Sequence, residues 1–110
     1  MDELIQTVAP LYTTLQTKHG TIRQLLGVEL RVLAQPEVSA EWLERALKCH
    51  AAKQLLGQLP AVPNSPYVLP DNWVEIDVSS DGDGFRISLR GEDSEDARRI
   101  LARARAYANR

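Results

Sequence analysis

The chain has 110 residues, 13 Lys and Arg against 15 Asp and Glu, and a formal net charge of −2. Apolar residues at 44% and charged residues at 25% are ordinary globular values and exclude bulk disorder and collagen-like repeats. The single cysteine, Cys49, excludes an intramolecular disulfide framework and a multi-cysteine metal centre.

The acidic start Met1-Asp2-Glu3 lacks the basic region of a secretory signal. No apolar run approaches the roughly 18 residues of a membrane helix, so a cytoplasmic protein with no membrane partner is expected. The net charge hides an uneven distribution. Residues 1–70 balance six acids against six bases, residues 71–97 hold nine acids and two arginines, and residues 98–110 hold five arginines and no acid.

Leu4, Val8, Leu11 and Leu15 recur at helical spacing, so a first helix is expected, with Pro10 kinking it or opening a second one. Thr21 and Gln24 have the spacing of a capping box, followed by Ile22, Leu25, Leu26, Leu30 and Leu33 on one helical side to about Ala34. Pro36 stops that helix. Ser39 is a good N-cap for the next, which carries Trp42, Leu43, Ala46, Leu47 and Leu56 and ends near Gly57. Pro60, Pro63, Pro66 and Pro70 fall within one short stretch and predict an extended strap from which Tyr67, Val68 and Leu69 dock onto the helices.

Residues 73–78 and 85–90 both alternate with period two around Asp81-Gly82, the preferred pair for a type I′ turn. Centring the turn there sets Val78 against Phe85, Ile76 against Ile87 and Val74 against Leu89 on an apolar side. Asp77 then faces Arg86, Glu75 faces Ser88 and Trp73 faces Arg90 on a charged side. A last helix from Asp93 or Ser94 to Ala108 follows, with acids at its start, arginines at its end and a stripe of Ala97, Ile100, Leu101, Ala104, Tyr107 and Ala108. The expected fold is α+β and a single domain. It comprises an N-terminal three-helix unit (residues 1–57), a Pro-rich connection (58–72), and a β-hairpin with a C-terminal amphipathic helix (73–110).

Catalytic and cofactor signals are missing from this pattern. Cys49 and His50 are helical neighbours whose side chains diverge by about 100°; His50 falls among Leu43, Ala46 and Leu47 and reads as a core or interface histidine. The run from Asp77 to Ser88 has calcium-loop oxygens at Asp77, Ser79 and Asp81, but places a serine where the loop needs a bidentate glutamate. No metal-protease, phosphate-loop, dinucleotide or nucleophile-elbow motif occurs. No metal, cofactor or small-molecule substrate is expected, and the chain reads as a non-enzyme.

Two binding readings follow. The first is a small dimeric bacterial-type adaptor or regulatory protein that binds another protein. Its contact residues would be Trp73, Glu75, Asp77, Arg86 and Arg90, and its homodimer would form through residues 73–108, because a two-stranded sheet alone is marginal. The alternative is a regulatory DNA- or RNA-binding protein that uses Arg98, Arg99, Arg103 and Arg105, or a helix-turn-helix-like segment over residues 22–56. Residues 25–50, through Gly27, Ala46, Leu47 and His50, resemble ProQ/FinO-type RNA-binding domains. Residues 73–108 are similar in outline to the hairpin-plus-helix dimerisation end of ParB-type partition proteins. The resemblances imply RNA binding and self-association, respectively.

Overall fold

The computed structural model describes residues 5–60 and 62–109. The acidic start, Leu4 of the expected first helix, Ala61 of the proline stretch and Arg110 of the basic terminus lie outside them. Residues 5–33 are where the chain departs from the sequence expectation. They form a long β-hairpin, β1 (Ile5–Thr17) and β2 (Gly20–Leu33), in place of two helices. The N-terminal three-helix unit therefore does not exist, nor does the helix-turn-helix-like segment whose first helix would be residues 22–33.

The reason lies in side-chain shape. Six of the thirteen residues of β1 (Ile5, Thr7, Val8, Thr13, Thr14 and Thr17) are β-branched, which favours an extended backbone over a helix. Pro10 neither kinks nor opens a helix. It sits in an edge strand, where its missing amide is tolerated. Thr21 and Gln24 are not a capping box but rungs of the β1–β2 ladder, opposite Gln16 and Thr13. The turn at Lys18-His19 is held by Thr17, whose Oγ1 accepts from the His19 amide (3.2 Å) and donates to the Gly20 carbonyl (2.9 Å).

Two helices and two more strands complete the fold: α1 (Ala40–Leu55), β3 (Glu75–Asp81), β4 (Gly84–Arg90) and α2 (Ser94–Ala108). The four strands form one antiparallel sheet in the order β1-β2-β4-β3. Ser39 caps α1 by accepting from the Trp42 amide (3.1 Å), and Asp93 caps α2 by accepting from the Asp96 amide (2.8 Å). One sheet face is apolar. Val8, Leu30, Ile87 and Val78 run across it in one row, and Pro10, Val28, Leu89 and Ile76 in the next. This face packs with Leu43, Leu47 and Ala51 of α1, Ile100, Ala104 and Tyr107 of α2, and Tyr67 and Leu69 of the strap, all in one core. Tyr67 meets Tyr107 edge-on at 6.2 Å between ring centroids.

The β3–β4 hairpin forms in a register two residues away from the expected one: Ile76 faces Leu89, Val78 faces Ile87 and Glu75 faces Arg90. The central turn residues are Gly82 and Asp83. Gly82 has φ 60 while Asp83 is not left-handed, which fits a type II′ turn with glycine first and excludes type I′, which needs both residues left-handed. A shift of two preserves which side chains face the core, so the apolar and charged faces survive.

β2 changes course at Leu26. Tyr12 pairs with Leu25 but Leu11 pairs with Gly27, so Leu26 is an extra residue and the strand is bulged. Beyond this point β4 no longer accompanies β2, whose ladder with it runs only from Gly27 to Leu33. Gly27 permits this because a β-carbon there would collide with the Leu89 carbonyl. The Gly91 amide, donating to the Leu26 carbonyl (3.0 Å), closes the junction. Gly27→Ala should therefore cost on the order of 3 kcal/mol through overpacking. The check is urea unfolding, where a lower midpoint with an unchanged slope is expected.

Candidate functional site

The face of the sheet opposite the core carries Glu29 and Arg31 from β2, Arg86 and Arg90 from β4, and Glu75 and Asp77 from β3. Arg90 Nη2 reaches Glu75 (2.8 Å) and Asp77 (3.0 Å). Arg86 engages Glu29 and Asp81, and Arg31 also engages Asp81. The structure thus brings together four of the five expected protein-contact residues, Glu75, Asp77, Arg86 and Arg90. The expected partners differ: Arg86 lies opposite Ser79, not Asp77, and Trp73 precedes the strand instead of facing Arg90. Every acid in this group is already paired with an arginine on the same face.

The two sheet edges differ. At the β3 edge, the Val78 amide is taken by Glu44 Oε1 of α1 (2.8 Å), so the helix side chain occupies the position where another strand would bond. That hydrogen bond holds the Glu44 carboxyl below its ordinary range; partial burial opposes the shift, and Lys48, one helical turn away, assists it. The β1 edge has no such cover. Ile5–Thr17 contains no charged residue, and its interruptions, the register shift at Gln6 and Pro10, both lie in its first half.

The arginines of α2 separate into two pairs. Arg99 bonds Asp71 (3.0 Å) and Asp96 (3.3 Å), contacts that raise its pKa, with Asp71 dominant and desolvation opposing. Arg103 donates from Nε to the Ser65 carbonyl (2.8 Å) and ties the strap to α2; its pKa is lowered by burial and then by Arg99. Arg98 and Arg105 are exposed and make no ion pair among the described residues.

Sequence reasoning missed the arm formed by residues 11–26. It continues past the β2–β4 ladder as a two-stranded ribbon and exposes Tyr12 (44%), Leu15 (42%) and Ile22 (52%). Leu15 and Ile22 are direct cross-strand neighbours. Arg23 lies over the Tyr12 ring at 4.3 Å and adds a cation–π contact. A signal was available in the uncharged, threonine-rich run before Lys18-His19-Gly20.

His50 lines a small depression between α1, the strap and Tyr107, of about 30 Å³, walled by Leu47, Ala51, Gln54 and Val68 with no carboxylate. Among the described residues no helix is long and apolar enough to cross a membrane, and no three side chains group as metal ligands. Gly27, one of the positions carrying the RNA-binding resemblance, lies within a strand. No protein-family model, curated protein or solved structure matches the chain.

The Glu44 contact has a definite pH signature. A carboxyl whose folded pKa is depressed adds stability that is complete above its unfolded pKa, 4.5, and is lost as pH falls through the folded value. Glu44→Gln keeps an acceptor for the Val78 amide but removes the charge. Its deficit in urea midpoint relative to the parent should be largest at neutral pH and shrink as the pH falls below 4.5. A deficit independent of pH would show that the charge contributes nothing.

Proposed function

We propose that this chain is a non-enzymatic protein-interaction module of the adaptor or regulatory type, and that its contact surface is the β-hairpin arm of residues 11–26. The observation that carries this reading is the exposure of Tyr12, Leu15 and Ile22 on a ribbon that projects past the sheet. A two-stranded ribbon is marginal on its own in water, and covering its apolar side chains stabilises it. Single exposed apolar residues need no explanation, but Leu15 and Ile22, paired on one face of a projecting ribbon that carries Tyr12 on its other face, leave neither face of the arm covered.

The charged sheet face is a weaker candidate. Its acids are already paired with arginines, so a partner that removed water from them would have to replace those contacts. The nucleic-acid alternative loses ground for a similar reason. Arg99 and Arg103 are engaged within the chain, which leaves Arg98 and Arg105 as the free cations of the original cluster among the described residues. Two phosphate contacts supply little affinity at physiological salt.

Affinity capture of the tagged full-length chain from its own host, followed by native mass spectrometry, tests the reading. A protein retained by the parent should fall about tenfold in yield with Leu15→Asp/Ile22→Asp, corresponding to about 1.4 kcal/mol, and persist with Arg98→Ala/Arg105→Ala. Loss only with the arginine variant, together with a steep salt dependence, would favour nucleic acid.

A further inference from the structure

We infer that the arm's partner is a second copy of this chain, joined antiparallel through the open edge of β1 over residues 11–17. The inference rests on the reading of the arm as an interaction surface and names its occupant. Sheet edges in soluble proteins are normally blunted by charge, proline, bulges or a covering element. This protein applies such protection unevenly. The β3 edge is occupied by Glu44. The β1 edge is protected at Pro10, and beyond it seven residues, Leu11–Thr17, run uncharged and uncovered to the turn.

A strand edge is self-complementary under a two-fold axis, because its alternating outward amides and carbonyls meet the same alternation running the other way. Laid about an axis at Thr14, the two copies set Leu11 opposite Thr17, Tyr12 opposite Gln16 and Thr13 opposite Leu15. No charged side chain then faces another. The two Lys18 ammonium groups lie at opposite ends of the contact, each level with the other copy's Pro10. The joined sheet would have eight strands, twice the four of one chain.

Area sets the expected strength. Seven paired residues extend about 24 Å, and the backbone edge alone falls short of the roughly 800 Å² per partner of a standard interface. Tyr12 and Leu15, set against Gln16 and Thr13 of the other copy, add side-chain contact, and the association should be reversible in the micromolar range.

Sedimentation velocity of the full chain over a dilution series tests the inference, with far-UV circular dichroism to confirm folding. The parent should move from 12.3 kDa towards twice that mass as concentration rises. Thr14→Lys places a charge at an exposed position on the edge and should leave the circular dichroism unchanged while holding the chain at monomer mass. A parent monomeric up to hundreds of micromolar overturns the second-copy inference; the broader reading then stands if Leu15→Asp/Ile22→Asp still abolishes capture of a host protein. A dimer that survives Thr14→Lys but is lost with Trp73→Asp also overturns it, and moves the interface to residues 73–108.

Discussion

The close approach of Gly27 to the Leu89 carbonyl is the constraint on which the rest of the molecule depends. On one side of it β2 is a central strand, with Val28, Leu30 and Val32 buried against Leu89, Ile87 and Phe85. On the other side β2 has β1 as its only strand partner. The missing β-carbon lets the two backbones stay in register up to the bulge, and the bulge at Leu26 then releases the strand from the sheet. Core and arm are thus two halves of one hairpin, separated by a single glycine, and the exposure of Tyr12, Leu15 and Ile22 follows from where that separation falls.

Charge placement supports the same division. Among the described residues the acid-rich stretch is neutralised mainly by its own Arg86 and Arg90 and by Arg31, and the basic terminus contributes Arg99 alone. Arg99 joins Asp71 to Asp96, and the sheet face binds its own acids with Arg31, Arg86 and Arg90. Surface pairs of this kind add little stability each. Their consequence lies elsewhere: they leave the most charged regions of the chain self-contained, and the uncharged strand β1 as the open one.

The parts of the fold legible in sequence were those where one pattern dominated. Ser39, the Leu43–Leu47 spacing and Gly57 marked α1. Asp93 and the Ala97–Ile100–Ala104–Tyr107 stripe marked α2. Strict alternation marked β3 and β4, although the choice between Asp81-Gly82 and Gly82-Asp83 as the turn pair lay beyond propensity, because both registers bury the same side chains. The N-terminal hairpin was misread because Leu4, Val8, Leu11 and Leu15 satisfy a helical period by coincidence. Half of that hairpin packs against no core, so burial imposes no strict alternation on it. The alternation that does exist, Val28-Glu29-Leu30-Arg31-Val32, lies in the half that enters the sheet. The arm was invisible for the same reason: its significance depends on topology, through which strands end up at an edge.

The claim that residues 5–33 form a ribbon bent at Leu26–Gly27 is tested most directly by nuclear Overhauser contacts in the labelled full-length chain. Strand-type Cα shifts from Leu11 to Gln24, with cross-strand contacts between Thr14 and Arg23 and between Leu15 and Ile22, are the predicted result. Helical shifts over that stretch, with sequential amide–amide contacts and no Thr14–Arg23 contact, would contradict it.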